Sequence, residues 1–421
     1  MSNFKIKLSL FLNYFVFAIL LNSVGTVILQ MQNNFSVLPG SAANLEGFKD
    51  GSIAITSFFI ASYVARIGYR NSMLIGLAFV TLMCLLMPSL SSFLMIKVLF
   101  TTVGVSFALI KVSVFATIGL VTKTRKEHIS FMNFLESFFG IGVVTGYFIF
   151  AAYVDNSNPK STSWFNVYYL LSGISAAAFL LLLFTKLDDR AVREKESSKP
   201  LLIEFVEMLK LTIIPIVFVF IFCAFFYVLI EQSIMSWLPT FNQKVIHLST
   251  SLSIKMASVL SISIAGGRFL AGLLLKRTDW LAVLVCCLLS AAAIVIITVP
   301  LTKSISTTEI TVFKDIPIIA FAFPLIGLFL APIYPAINSV ILSTLPVHKH
   351  AAMSGLIVVF SALGGFTGSK ITGYTFGAYG GQTAFYLSLV PITILTILLF
   401  VYKKLQKKPV TSDEIEVKTV H

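Results

Sequence analysis

The sequence predicts an all-α membrane protein: twelve transmembrane helices in two halves of six. Three observations carry that expectation. Apolar residues fill 57% of the 421 positions and charged ones 12%, whereas a soluble domain carries about 25% charge and about 45–50% apolar residues. Mean hydropathy over the chain is +0.93, more apolar surface than a soluble core can absorb. The apolar residues also come in runs of the length a helix needs, about 20 residues, to cross a hydrocarbon layer about 30 Å thick. These runs are continuous rather than alternating, which excludes a β-barrel.

The runs lie at roughly 8–31, 50–68, 72–90, 93–121, 130–153, 165–186, 211–240, 250–275, 280–300, 316–345, 351–376 and 382–402. Most are joined by short connectors. The exception is 187–210, which carries the densest run of charge in the interior and divides the chain into a six-helix half (1–186), a partly helical linker (187–210), a second six-helix half (211–402) and a tail (403–421). The net charge of +13 would suggest nucleic acid in a soluble chain. Here 21 of the 31 Lys and Arg fall in loops on one side of the spans and 8, Lys49 among them, on the other, which is a topology signal and excludes nucleic acid as a partner. The cation-rich side is expected to be cytoplasmic, with both termini inside a cell (inner or plasma) membrane. The first apolar run is too long for a signal h-region and lacks a small-residue cleavage site, so no cleavable signal is expected. Cys84, Cys223, Cys286 and Cys287 all lie within apolar runs and are expected as buried small hydrophobes.

Taken in order, the spans differ mainly in the few polar groups they hold. Span 1 repeats Asn22, Thr26 and Gln30 every four residues, a polar stripe that faces either a cavity or another helix. Spans 2 and 3 flank the basic loop ASYVARIGYR at 61–70. Span 4 holds Lys111 near its middle, too deep to reach water easily; a charge there is expensive, about 2.5–3.5 kcal/mol on insertion scales. It either meets a substrate or pairs with Glu231 or Glu136. Span 5 carries Glu136, three residues after Asn133 and nearer the cytoplasm, for a gating or structural role. Span 6 holds no charged side chain before Lys186, at its end.

In span 7, Tyr227 and Glu231 are one turn apart and share a face. Glu231 is isolated among apolar residues, which suits reversible protonation or a permanent ion pair. Span 8 carries Arg268 beside two glycines; arginine stays charged, so it binds an anion or anchors a helix. Span 9 holds no charge between Asp279 and Lys303. Span 10 has Pro332, Tyr334, Pro335 and Asn338, a proline-bent segment that lines a cavity or simply curves. Span 11 carries Gly364, Gly365, Gly368 and Gly373, for close packing or a hinge. Span 12 ends in Lys403 and Lys404. Tyr227, Trp237, Tyr334 and Tyr374 are the aromatic side chains singled out as stacking surfaces.

The stretches AGGRFLAGLLLKR (265–277) and ASYVARIGYR (61–70) occupy equivalent places in the two halves. Together with the two sixes and the charged central loop they resemble the loop motif of the major facilitator superfamily, without its acidic residue. LNSVGTVILQMQNNF (21–35), IEQSIMSWLPTF (230–241) and APIYPAINSVILSTLP (331–346) resemble the fucose/galactose/glucose–proton symporter branch. That resemblance implies a major facilitator fold and a proton-coupled transporter, not an enzyme. The branch usually places a carboxylate in span 1 and another in span 4; here Asn22, Thr26 and Gln30 stand in the first place and Lys111 in the second.

The expected function is proton-coupled symport of a small polar metabolite, a sugar or sugar acid, by alternating access between the halves. Expected substrate contacts are Lys111, Asn22, Thr26, Gln30, Tyr227, Tyr334, Asn338 and Arg268, with Glu231 and then Glu136 for proton coupling. No metal or cofactor is expected, because the sequence holds no metal motif or nucleotide phosphate loop; the proton gradient supplies the energy. The chain is expected to be a monomer in the lipid bilayer. Efflux of amphiphiles and a non-transporting membrane sensor or scaffold are the alternative readings.

The charge asymmetry generates a topology test. A cysteine placed at Ser197, in a background without the native cysteines, should resist impermeant thiol reagents in intact cells and react after permeabilisation. Ready labelling in intact cells would invert the orientation.

Overall fold

The computed structural model describes residues 2–122, 125–185, 206, 208–275, 278–305, 307–345 and 349–406. Most of the 187–210 linker and the tail beyond Gln406 lie outside them. Among the described residues the helices make twelve crossings. Span 1 is Ser2–Asn22 continued by Val24–Phe35, span 2 Asn44–Ile67, span 3 Tyr69–Leu86, span 4 Phe93–Val121, span 5 Arg125–Ala152 and span 6 Val167–Leu183. Span 7 is Pro215–Met235 continued by Leu238–Lys244, span 8 Thr250–Leu274 and span 9 Trp280–Leu301. Span 10 is assembled from Ile319–Ala322, Ile326–Leu330 and Ile333–Thr344, span 11 is His350–Tyr379, and span 12 is Gly381–Tyr386 continued by Leu389–Gln406.

Local chemistry sets these boundaries. Ser92 starts span 4 by accepting the Met95 N–H at 3.2 Å, the side-chain cap a helix N-terminus needs. Pro215 opens span 7 at a position where its missing N–H costs nothing. Span 7 breaks ahead of Pro239 and span 10 around Pro324 and Pro332, because a proline cannot donate to the preceding turn. Span 1 breaks at Ser23, whose hydroxyl donates to the Leu20 carbonyl at 2.7 Å. Spans 1 and 7 hold the same place in their halves and both break beyond their middle.

Eleven of these helices are long and apolar enough to cross a membrane by length and composition; span 2 is not among them. Its helix begins at Asn44, not near residue 50 as the hydropathy of the sequence suggests, and so takes in Glu46, Lys49 and Asp50. Lys49 is therefore not a loop cation. Its side chain is 7% exposed and contacts Glu46 one helical turn away. Mutual pairing lets a charged segment stay helical at membrane depth.

The two halves meet at the face opposite the termini. Ser236 Oγ of span 7 donates to Glu46 Oε2 at 3.1 Å, and Gln32 Nε2 of span 1 donates to Thr240 Oγ1 at 3.3 Å. Ser251 of span 8 donates its N–H to Asn156 Oδ1 at 2.9 Å and its hydroxyl to the Ala151 carbonyl at 3.1 Å. Lys370 Nζ of span 11 donates to the Gly40 carbonyl and to Asn44 Oδ1, both at 2.7 Å. Near the face that carries the termini, the described bonds stay within a half. Lys7 pairs with Glu127 at 2.9 Å, Lys403 with Asp279 at 2.5 Å, and Arg70 Nε donates to the Thr185 carbonyl at 2.9 Å. The halves are thus closed on the opposite face.

Glycines permit the closest approaches. A Cβ at Gly25 would lie 2.9 Å from the Ser236 carbonyl oxygen, at the point where the two broken spans meet, and one at Gly47 would lie 2.5 Å from the Phe366 ring. Within the second half, Gly364 and Gly368 of span 11 rest on the carbonyls of Phe225 and Leu229 of span 7, so close that any side chain would collide. Close packing is what the span 11 glycines do here. Of the cysteines, Cys84 and Cys223 are buried, but Cys286 is exposed and Cys287 half-buried. Adjacent positions on a lipid-facing helix cannot both turn inward.

Gly364→Ala and Gly368→Ala should each destabilise the purified protein by about 1–3 kcal/mol through overpacking, read as a lower Tm in detergent. Gly173→Ala in span 6 adds a carbon that meets nothing within 4 Å, so helix propensity should leave its Tm unchanged or raised.

Candidate functional site

Two polar clusters sit at span depth, one in each half. In the first half, Lys111 and Glu136 lie ten and eleven residues from the terminal-face ends of spans 4 and 5, about 15 Å along each helix. They share a level, and Glu136 acts electrostatically on Lys111. Lys111 is accessible to solvent although protein surrounds it, the environment of a side chain lining an internal cavity. Its ammonium stands 5.8 Å from the centre of the Phe107 ring, a cation–π distance. Tyr14 of span 1 packs on Phe107 and Phe139 at 6.5 and 5.7 Å and lies in the field of Glu136.

In the second half, Tyr227 donates its hydroxyl to Glu231 Oε1 at 2.8 Å across one helical turn. The Tyr227 ring stacks on Tyr334 of span 10, with centroids 5.3 Å apart and planes at 23°. The Tyr334 hydroxyl in turn lies 3.0 Å from Ser361 Oγ of span 11. Asn338 is one turn beyond Tyr334 and half-buried. Arg268 of span 8 is exposed and acts electrostatically on Glu231. The glycine before it, Gly267, packs directly on the Leu328 carbonyl of span 10, which fixes the arginine's helix against the proline-broken span.

The structure therefore brings Tyr227, Glu231, Arg268, Tyr334 and Asn338 together, and Lys111 with Glu136. The anion beside Lys111 is Glu136; Glu231 has Tyr227 and Arg268. The span 1 stripe does not behave as one unit. Asn22 is half-buried and donates back to the Ala18 carbonyl at 2.8 Å. Thr26 and Gln30 are 1% and 2% exposed, because the outer part of span 1 packs beneath the closed seam. Thr26 Oγ1 and Gln30 Nε2 make no hydrogen bond within the described protein. Two of the aromatic candidates stand elsewhere. Trp237 is fully buried with its indole N–H on the Ser369 carbonyl at 3.1 Å, and Tyr374 is 66% exposed.

A cavity of about 1220 Å³ lies between spans 2 and 11, lined by Phe48, Ile55, Phe59, Leu363 and Phe366 among others. Its walls are almost wholly apolar, so it is not where a sugar would be held. Among the described residues no three His, Cys, Asp or Glu side chains gather in a metal-binding group.

Sequence reasoning missed Glu46, Lys49 and Asp50. The signal was present as three charges within five residues of LEGFKD, but it adjoined an apolar run and read as the end of a loop.

The chain matches the family model described as the Major Facilitator Superfamily over residues 8–369. It is 21% identical over 402 residues to the protein TsgA homolog of Buchnera aphidicola subsp. Baizongia pistaciae, covering 95% of this chain and 96% of that protein. Its fold is similar to a bacterial homologue of the human lysosomal transporter Spinster in an inward-facing, occupied conformation, with TM-score 0.74, 15% identity and coverage of 96% and 97% of the two chains. It is also similar to the E. coli fucose:proton symporter FucP, with TM-score 0.61, 16% identity and coverage of 96% and 99%.

Proposed function

This chain belongs to the Major Facilitator Superfamily, and on that premise we propose that it carries a small polar metabolite, a sugar or sugar acid, by proton-coupled alternating access. It is a multi-pass membrane transporter. The observation that carries the finer reading is the pair of polar clusters at span depth, one in each half: Lys111 with Glu136, and Tyr227, Glu231, Arg268, Tyr334 and Asn338. Charged groups at that depth are retained where a polar solute or proton must pass. The stacked tyrosines present an aromatic face with hydroxyls at its rim, suited to the apolar face and polar edge of a sugar ring. Lys111 supplies the cation for a carboxylate, with Glu136 as its resident partner when no substrate is bound.

Glu231 is the coupling carboxylate in this reading. It already accepts a hydrogen bond from Tyr227 and lies in the field of the Arg268 guanidinium. Protonation would release both, freeing the tyrosine hydroxyl and the guanidinium for the substrate. With the cation-rich face in the cytoplasm, the seam closes the extracellular side and the arrangement is the inward-open state. The fucose:proton symporter likeness supports sugar as the class. The apolar cavity between spans 2 and 11 favours efflux of amphiphiles as the second reading; uptake by proteoliposomes of sugars against amphiphiles distinguishes them.

Glu231→Gln should abolish pH-driven accumulation in proteoliposomes while leaving exchange of labelled substrate across the membrane intact. Normal accumulation by that variant would move coupling elsewhere, with Glu136 next to be tested.

Lys111→Gln should fold with normal yield and lose at least tenfold in affinity for acidic sugars, about 1.4 kcal/mol, with part retained by Lys111→Arg. A thermal-shift screen across neutral sugars, sugar acids and simple carboxylates reads this directly. Binding by Lys111→Gln as tight as in the parent would remove lysine from the substrate site.

A further inference from the structure

Among the described residues, the charges buried most deeply belong to neither polar cluster. Lys49 Nζ lies between two carboxylates of its own helix, 2.5 Å from Glu46 Oε1 and 3.3 Å from Asp50 Oδ1. The three side chains are 0%, 7% and 13% exposed for Glu46, Lys49 and Asp50. They sit on the seam itself. Ser236 of span 7 donates to Glu46, and Asp50 Oδ2 lies where a Cβ on Gly365 of span 11 would be only 2.7 Å away. Parting the halves would uncover all three.

With every group ionised the triad carries two negative charges and one positive. Among the described residues, the surroundings do not supply the missing cation. Span 7 presents Ser236, Gln232 and Glu231, and Glu231 would add a further negative charge. Span 5 presents the Tyr147 phenol. From span 11, Lys370 is already bonded to the Gly40 carbonyl and to Asn44. From span 4, Lys97 lies over the rings of Phe93 and Phe48, 4.4 and 5.8 Å from their centres. An unbalanced charge shut away from water is costly, and a buried carboxyl removes it by taking a proton.

We propose that the Glu46–Lys49–Asp50 triad is a proton-binding latch, which takes up one proton on Asp50 as the halves close over it and releases it as they part. Asp50 is the acceptor because the Glu46 carboxylate already accepts from two donors, Lys49 and Ser236. Asp50 has only the longer contact to Lys49, and its other oxygen faces the bare backbone of span 11. The proton comes from the aqueous phase on the seam side and returns there; no other bond is made or broken. Closure is thereby favoured at low pH, and the ionised triad favours an open seam with water at Asp50. This rests on the alternating-access reading above, but adds a protonation site separate from Glu231 and from the substrate.

The test is a distance measurement on the purified full-length protein, which needs no substrate. Spin labels go on Ser157→Cys and Lys314→Cys, exposed loop positions of the two halves on the seam side, in a background without native cysteines. Distances are measured at about pH 5.5 and about pH 8.5, an interval above the ordinary carboxyl range in which, of the carboxyls, only one shut away from water changes its charge. The parent should show a several-fold larger short-distance population at the lower pH. Asp50→Asn leaves one anion against one cation and should hold the short distance at both pH values. Glu46→Gln reaches the same balance by the other carboxyl and should do likewise, which keeps the test open if Asp50→Asn fails to fold. The double variant strands Lys49 without an anion and should favour the long distance at both pH values. A parent whose distances ignore pH, or a pH response that survives in both single variants, overturns the latch. Failure of transport with an intact distance response would instead count against the transport reading alone.

Discussion

The contact on which this architecture turns is an ion pair with almost no access to water, Lys49 with Glu46, placed where the two halves meet. A membrane protein has no hydrophobic drive to hold its helices together once they are in lipid. Cohesion between the halves therefore depends on close packing at glycines and on polar groups that find partners only across the seam. Ser236 joins span 7 to Glu46, Lys370 joins span 11 to the first interhelical loop, and Ser251 joins span 8 to the end of span 5. All of these bonds lie toward one face. A molecule sewn along one edge of its interface can open along the other, which is the geometric requirement for exposing a central site to one side at a time.

The two polar clusters are built differently, and the difference follows from their helices. Span 4 is continuous, so Lys111 is held on a rigid rod at the same depth as Glu136 on the next helix, whose field it feels. Span 10, its counterpart, is broken by prolines into short pieces, and the break turns Tyr334 toward Tyr227 and Ser361. The second cluster thus spans four helices and includes span 7, which also contributes Ser236 to the seam. Glu231 and Ser236 are little more than one turn apart on that helix. Lys49 acts electrostatically on Glu231 as well as pairing with Glu46, so the seam and the second cluster belong to one electrostatic neighbourhood.

Much of this was legible from residue types alone, and the failures have a common physical origin. Periodicity and charge placed Tyr227 with Glu231 and marked Lys111, Glu136 and Arg268, because isolated polar residues stand out in an apolar run. The same contrast hid span 2. Lys49 is paired with Glu46 and Asp50, and a hydropathy reading counts three separate charges where the folded helix carries one paired group with a single negative charge left over. Cys286 is exposed because its helix turns it to lipid, and hydropathy cannot tell a lipid-facing position from a core one. Trp237 looked like a stacking surface but spends its indole N–H on Ser369, a contact 132 residues distant that no local pattern announces.

The sequence by itself determined the class of molecule, since 57% apolar residues in runs of bilayer length can fold stably only as membrane-crossing helices. It also determined the division into two sixes, through the single charged interruption at 187–210. What only the tertiary structure decided is which polar groups meet. Lys111 could have paired with Glu231 or Glu136 on sequence grounds; helix depth and neighbourhood chose Glu136. Thr26 and Gln30 lie on the same stripe as Asn22, yet they are sealed under the seam because span 1 breaks at Ser23 and its outer part packs against span 7. Pairing across the bundle depends on where helices break and how closely their glycines let them approach. Those distances are set by the assembled halves and by no stretch of chain read alone.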